Sequence, residues 1–102
     1  MTAKGYWIGH ISVHDDAGYA EYVAAASPIY AAHGGTPIVR GGRFTSVGGG
    51  SRPRNVVIEF PSYQAALDCY NSPEYTAARQ IRQRAAEADM LVIEGYDPQP
   101  RA

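Results

Sequence analysis

The order of strand-like and helix-like segments is the feature that most limits how this chain can fold. Strand-like segments alternate apolar with polar residues, and helix-like segments repeat apolar residues at spacings of three and four. In chain order the sequence predicts a strand 6–13, a helix 15–35, a strand 36–42, a strand 55–60, helical pieces 62–71 and 72–88, and a strand 90–96. This β-α-β-β-α-β order is that of a ferredoxin-like α+β sandwich, whose helices cover only one face of the sheet.

Short local signals set the expected ends of these elements. Asp15 or Asp16 is a fair N-cap for the first helix, and Pro28 is expected to kink or split that helix. The segment 43–54 is rich in glycine and polar residues, which indicates a hairpin loop. We expect one domain over 1–96 and a tail over 97–102.

Composition and charge exclude several classes of function. The chain has 102 residues, with nine basic and ten acidic side chains and a net charge of -1, so it lacks the basic excess that binding to nucleic acid requires. Its sequence contains neither an apolar run long enough to span a bilayer nor a signal-peptide pattern. Cys69 is the only cysteine, which favours a reducing compartment and hence a cytoplasmic protein.

The alternate residues of the strands divide into two predicted sheet faces. The face expected beneath the helices carries no charge and comprises Trp7, Ile11, Val13, Val39, Val56, Ile58, Phe60, Leu91 and Ile93. The other face mixes apolar side chains with one ionisable residue from each strand, namely His10, Arg40, Glu59 and Glu94. We interpret these four residues as a network at a dimer interface, in which Arg40 pairs with a carboxylate. Alternatively, Arg40 grips an anionic ligand.

Several motifs resemble a known family. The segments "VRGG" at 39–42, "RNVVIEFPS" at 54–62, "YNSPEY" at 70–75 and "EG" at 94–95 are similar to those of domain-of-unknown-function family 1330. That family belongs to the dimeric α+β barrel superfamily, so the resemblance implies a ferredoxin-like protomer and a homodimer whose sheets close into a barrel. It implies no activity, although the superfamily includes cofactor-free monooxygenases, isomerases and stress-induced proteins.

The chain departs from the family's pattern at two positions. Gly48 stands where the family often has an acidic residue, and Cys69 stands where it often has tryptophan. A role of either family residue in binding a ligand would be lost or changed in this protein.

The candidate site residues are tyrosines, arginines and one histidine. Cleft tyrosines can orient a polar ligand, and arginines can hold a carboxylate or phosphate. The predicted ligand-binding residues are Tyr22, Tyr30, Arg54, Tyr70, Tyr75 and Arg82. Alternatively, the tyrosines fill the core and the two arginines form surface ion pairs. His33 and Tyr22 are the candidate acid–base groups, although His33 also suits a plain helix terminus.

The sequence predicts neither a metal site nor a cofactor. His10 and His14 on one strand would lie about 13 Å apart, too far to share a metal. The leading hypothesis is a homodimer that binds a small polar or aromatic molecule in a cleft of each protomer. The alternatives are a cofactor-independent enzyme, similar to a monooxygenase or isomerase, and a purely structural or stress-related assembly protein.

Overall fold

A computed structural model describes residues 3–98 of the chain. Of the predicted tail 97–102, residues 99–102 lie outside the described residues. The elements are β1 (Gly5–Val13), α1 (Asp16–Ala32), β2 (Thr36–Arg40), β3 (Arg54–Phe60), α2 (Tyr63–Tyr70), α3 (Pro73–Ala85) and β4 (Ala86–Glu94). The four strands form one antiparallel sheet in the order β2-β3-β1-β4. The ferredoxin-like α+β fold is therefore confirmed.

The helices begin at the polar residues that the sequence suggested. Side-chain oxygens of Asp15, Ser62 and Ser72 each accept a hydrogen bond from a backbone N–H in the first turn that follows. These bonds satisfy donors that a helix leaves unpaired at its start. After α1 the backbone of Gly34 takes a φ of 81°, a left-handed value that suits glycine and ends the helix.

Helix α1 continues through Pro28, so the prediction of a split at that residue is wrong. Proline removes the backbone donor that would bond to the carbonyl of Ala24, four residues earlier. Ala24 is exposed, so water can satisfy that carbonyl. The buried aromatic face of α1 holds the helix together across this position.

The last strand begins earlier than predicted, and its faces are reversed. β4 starts at Ala86, directly after α3, and its register places Met90 opposite Gly9 and Val92 opposite Trp7. Met90 and Val92 therefore face the helices, whereas Leu91 and Ile93 are 49% and 47% exposed on the other side. The segment is apolar at consecutive positions, so alternation in the sequence could not fix its orientation.

Strand β2 also departs from the predicted pattern, because its pairing with β3 is irregular between Pro37 and Val39. Beyond the irregularity Arg40 lies opposite Val56, a residue packed against the core beneath the helices. Such a shift moves side chains to the opposite face of a sheet. The assignment of Arg40 to the face away from the helices is therefore wrong.

Trp7 lies at the centre of the core, on the covered face of the sheet, meaning the face beneath the helices. It is 1% exposed, and its Nε1 donates a 2.9 Å hydrogen bond to the carbonyl oxygen of Ala66 in α2. Its ring packs against Phe60, Tyr70 and Tyr75 with centroid distances of 5.2, 5.2 and 4.7 Å. One side chain thus joins the central strand to both C-terminal helices.

We expect Trp7→Phe to lower the free energy of unfolding by about 2–3 kcal/mol, since it leaves a cavity and removes the buried hydrogen bond to the carbonyl oxygen of Ala66. Urea denaturation followed by circular dichroism at fixed protein concentration measures the change. Tyr96→Phe is the control, because Tyr96 is 89% exposed and the substitution should cost less than about 0.5 kcal/mol. Equal urea midpoints for both variants would contradict the central role of Trp7.

Candidate functional site

A cleft lies between helix α1 and the covered face of the sheet. Its cavity volume is about 40 Å³. Strand side chains and one face of α1 form its walls: Trp7, Ile11, Tyr19, Tyr22, Val23, Ala26, Tyr30, Pro37, Val39, Arg40, Arg54, Val56, Ile58 and Met90. Most of these side chains are apolar or aromatic, and the few polar groups are tyrosine hydroxyls and guanidinium groups. Such walls are typical of small-molecule sites.

The tyrosines of α1 reach the cleft because they share one helical face. Tyr19, Tyr22 and Tyr30 follow one another at spacings of three and eight, and each is buried. The Tyr30 hydroxyl lies 3.1 Å from Ser27 Oγ, which itself donates to the carbonyl oxygen of Val23. Since Ser27 has only one hydroxyl hydrogen, Tyr30 donates that bond and keeps its lone pairs free to accept another.

Two arginines stand at the mouth of the cleft. Arg54 at the start of β3 donates from Nε to the Tyr19 hydroxyl at 3.3 Å, and its guanidinium lies 5.2 Å from the centre of the Tyr19 ring. Gly41 makes room for it, because a Cβ at that residue would lie 2.5 Å from Arg54 Nη1. Arg40 is exposed at the end of β2 and also lines the cleft.

Behind the cleft a second group forms what we call the tyrosine–arginine cluster: Tyr22, Tyr70, Tyr75 and Arg82. Arg82 is only 6% exposed, and its Nη1 donates a 3.0 Å hydrogen bond to the Tyr75 hydroxyl. The hydroxyls of Tyr75 and Tyr22 lie 2.7 Å apart. Within residues 3–98 no carboxylate pairs with Arg82, so tyrosines take the place of a counter-ion.

The hydrogen bonds of this cluster have a preferred direction. The Tyr75 oxygen already accepts from Arg82, and Tyr75 is fully buried, so its own hydrogen needs an acceptor. Among the described residues, the acceptor within hydrogen-bond distance of the Tyr75 hydroxyl is the Tyr22 oxygen. Tyr75 therefore donates to Tyr22, which lines the cleft, and the positive charge of Arg82 polarises the chain of bonds.

Burial and the guanidinium of Arg82 shift the pKa values of the three tyrosines in opposite directions. Burial raises the pKa of Tyr75 and of Tyr22 above the usual 10.0. Burial also acts to raise the pKa of Tyr70, but hydrogen bonds from Arg82 and Arg79 outweigh it and lower that pKa. At neutral pH Tyr22 and Tyr75 are therefore neutral phenols beside one buried cation.

The structure separates the six predicted ligand-binding residues into two sets. Tyr22, Tyr30 and Arg54 line the cleft. Tyr70, Tyr75 and Arg82 lie outside its walls, and Arg82 reaches the cleft only through Tyr75 and Tyr22.

The acid–base candidate His33 lies outside the cleft lining. It is half-buried just after α1, and its Nδ1 donates a 3.0 Å hydrogen bond to the carbonyl oxygen of Ile29. This contact is typical of a histidine at the end of a helix. Of the two acid–base candidates, Tyr22 is therefore the one that lines the cleft.

The open face of the sheet, which is the face away from the helices, carries its own polar contacts. The Tyr6 hydroxyl donates to Glu59 Oε2 at 2.9 Å, and His10 Nδ1 donates to Asn55 Oδ1 at 2.7 Å. Glu94 lies opposite Gly5, a position of the covered face. Of the four residues of the predicted interface network, His10 and Glu59 therefore share the open face.

A contact that the sequence did not indicate joins the loop 41–53 to the open face. Arg52 donates to Asp89 Oδ2 at 2.9 Å and to Ser12 Oγ at 2.9 Å, and its Nη1 lies 3.6 Å from Glu87. No local sequence signal marks Arg52, because its partners lie on β1 and β4. The position of Arg40 in the cleft lining was missed as well, since it depends on the irregular pairing of β2.

The two positions that depart from the family pattern have different surroundings. Gly48 is exposed in the loop, and a Cβ there would meet nothing within 4 Å. Cys69 is 0% exposed in the core, and burial raises the pKa of its thiol to about 12. Cys69 therefore stays protonated at neutral pH and is a packing residue rather than a nucleophile.

Two further observations concern residues 3–98. No helix in this part of the chain is long and apolar enough to cross a membrane. The same residues contain no group of three or more histidine, cysteine, aspartate or glutamate side chains placed to hold a metal ion.

We expect the stability of the protein to fall as the pH rises from 9 to 12. The Cys69 thiol has its pKa raised from 9.0 to about 12 by burial. A raised pKa gives stability that is complete below the unfolded value and is lost above it. The raised pKa values of Tyr22 and Tyr75 act in the same direction above 10.0, and the lowered pKa of Tyr70 opposes them.

Urea midpoints measured at pH 8, 9, 10 and 11 check this expectation. Cys69→Ala should show a shallower decline than the unaltered protein, because it removes one of the contributing groups. An identical decline in both proteins would show that Cys69 is not held protonated by the core.

Comparisons with known proteins agree with this architecture. The chain matches no curated protein. A protein of unknown function from Rhodopseudomonas palustris, RPA0582, has a similar solved structure with a TM-score of 0.75 and 18% identity, over 96% of this chain and 86% of that one. SnoaB from Streptomyces nogalater, a cofactor-independent oxygenase, has a TM-score of 0.61 and 11% identity, over 98% of this chain and 100% of that one. At these identities the likeness concerns the fold alone.

The family model matches almost the whole described chain. It covers residues 4–96, which include every strand and helix together with the cleft and the tyrosine–arginine cluster. The chain therefore belongs to the family with the domain of unknown function DUF1330.

Proposed function

We propose that the protein binds a small polar or aromatic molecule in the cleft of each protomer of a homodimer. The observation that carries this proposal is the cleft itself, which joins an aromatic lining to a few convergent polar groups. The cavity volume of about 40 Å³ exceeds the roughly 10–15 Å³ that one water needs, so the space admits a small group of a ligand.

The two sets of candidate residues take different parts in this binding. Tyr22, Tyr30 and Arg54 offer hydroxyl and guanidinium groups to a ligand in the cleft. Tyr70, Tyr75 and Arg82 hold Tyr22 in place from behind, through the 2.7 Å contact between the Tyr22 and Tyr75 hydroxyls. The cleft is small, so only a narrow part of a ligand enters it and the remainder lies at the mouth.

Val23→Phe should block the cleft and weaken binding by at least about ten-fold, because the added ring occupies the space that a ligand needs. Phenol is a suitable probe, since it is a small aromatic compound with one polar group. The Trp7 indole N–H signal in a nitrogen–proton NMR spectrum reports binding, because Trp7 lines the cleft.

The matched control is Ala24→Phe, which adds a ring at the next residue of α1, where the side chain is exposed. Phenol should move the Trp7 signal in the unaltered protein and in Ala24→Phe, but not in Val23→Phe. Equal shifts in both variants, or no shift at Trp7 in the unaltered protein, would count against the cleft as a binding site.

The open face of the sheet supports the homodimer. No helix covers this face in the described chain, and Leu91 and Ile93 are 49% and 47% exposed on it. Exposed apolar side chains on a sheet face mark an interaction surface. A second copy of the chain would bring the same apolar side chains and the Tyr6–Glu59 contact to the interface. His10 lies on the same face and would be covered with them.

Ile93→Glu should convert the dimer to monomer, because it places an unpaired charge in the proposed interface. Sedimentation velocity at several protein concentrations measures the change. Ala24→Glu is the control, since Ala24 is exposed on helix α1, which lies on the other side of the sheet. A dimer that tolerates Ile93→Glu would place the interface elsewhere.

A cofactor-independent enzyme is the second candidate function. The hydrogen bonds from Arg82 through Tyr75 to the cleft residue Tyr22 favour it, because Tyr22 accepts from Tyr75 and keeps its own hydrogen to donate to a ligand. The fold shared with the oxygenase SnoaB is in keeping with this candidate. Measuring oxygen uptake in the presence of a compound that binds in the cleft tests the oxygenase function. Uptake would support it, and binding without uptake would show that the protein does not oxygenate that compound.

A cytoplasmic location belongs to the same proposal. The one cysteine, Cys69, is a free and buried thiol, which suits a reducing compartment. Fractionation of the source cells with an antibody to the protein tests the location, and recovery outside the cytoplasm would overturn it.

A further inference from the structure

We infer that the cleft ligand is a carboxylate, with its charged group between Arg40 and Arg54 and a short apolar body directed inward. This inference rests on the proposed function and names the chemical class of the ligand. Its starting point is the placement of two positive charges at one mouth of an apolar cleft.

The two arginines lie on the same face of neighbouring strands. Arg40 lies opposite Val56, and Arg54 precedes Val56 by two residues on β3. Residues in this diagonal relation have Cα atoms about 7–8 Å apart, within reach of long side chains. Their like charges repel each other, so the arrangement is unfavourable until an anion lies between them.

Neither arginine has an acidic partner in the described part of the chain. The ion pairs within residues 3–98 both belong to Arg52. Asp16 borders a groove next to Arg54 but makes no ion pair with it. The hydrogen bond from Arg54 to Tyr19 uses only Nε, which leaves the terminal nitrogens available to a ligand.

The backbone keeps this space free for the guanidinium of Arg54. Gly41 has a φ of 69°, and its N–H donates to the carbonyl oxygen of Asn55 at 2.9 Å, which holds the end of β2 against β3. A Cβ at Gly41 would collide with Arg54 Nη1. Two guanidinium groups in this position match the paired oxygens of a carboxylate.

The interior of the cleft limits what accompanies the carboxylate. Its inner walls include Trp7, Ala26 and Ile58, which offer no charge, and the cavity volume is about 40 Å³. A charged or strongly hydrated group would lose its water there without compensation. A short branched or narrow apolar group fits better.

Three compounds of matched shape test the inference: 3-methylbutanoate, its neutral amide and 3-methylbutylamine. Their binding to the purified full chain is followed by NMR at the Trp7 indole N–H and Arg54 Nε–H signals. We expect the carboxylate to bind at least about ten-fold more tightly than the amide, and its binding to weaken as salt is added. The amine should not bind.

Variants identify the groups responsible. Arg40→Met and Arg54→Met keep a long side chain without its charge, and each should remove the preference for the carboxylate. Arg43→Met is the control, because Arg43 is exposed in the loop and lies outside the cleft lining; it should leave the preference unchanged. Arg54 also packs on Tyr19, so its substitution can disturb the fold. If Arg54→Met does not fold, Arg40→Met still tests the inference, because Arg40 is exposed.

The two possible failures are distinguishable. Equal binding of the carboxylate and the amide, unaffected by Arg40→Met, would overturn the charge assignment and leave the cleft as a binding site. Absence of any shift at Trp7 with these compounds and with phenol would overturn the binding function, and the inference with it.

Discussion

The packing of Trp7 is the interaction on which the rest of the structure depends. Its indole joins the central strand to α2 through the hydrogen bond to Ala66 and to α3 through the ring of Tyr75. The same side chain forms part of the cleft lining, so the core and the candidate site share a wall. The close packing of protein interiors makes such a shared wall sensitive to small shifts.

The buried guanidinium of Arg82 accounts for the three tyrosines of the tyrosine–arginine cluster. A buried cation is costly unless hydrogen bonds compensate it, and here phenolic oxygens supply them in place of a carboxylate. Phenols also add apolar area, so Tyr75 both packs on Trp7 and bonds to Arg82. A carboxylate in the same place would neutralise Arg82. Because Tyr75 and Tyr22 are neutral, the positive charge of Arg82 is not cancelled and remains close to the cleft. Arg40 and Arg54 add two further positive charges at the mouth of the cleft.

Much of the fold could be predicted from the sequence because its signals are local. The caps at Ser62 and Ser72 and the order of strands and helices follow from neighbouring residues. The faces of β4 could not be predicted, since Met90, Leu91 and Val92 are consecutive apolar residues and only pairing with β1 decides their orientation.

In the candidate site, too, residues placed by local sequence patterns could be predicted, and residues placed by pairing between distant segments could not. Tyr22 and Tyr30 reach the cleft because helical spacing places them there, and the sequence shows that spacing. Arg40 reaches it through an irregular strand pairing beside Pro37, and a proline in a strand indicates an edge or a bulge without fixing which face the following residues take.

Native mass spectrometry of the protein as purified, repeated after denaturation, tests the central claim most directly, because it reports assembly and bound molecules together. The account predicts the mass of two chains plus a small molecule that is released on denaturation. The mass of a single bare chain, unchanged by denaturation, would contradict both the homodimer and the occupied cleft.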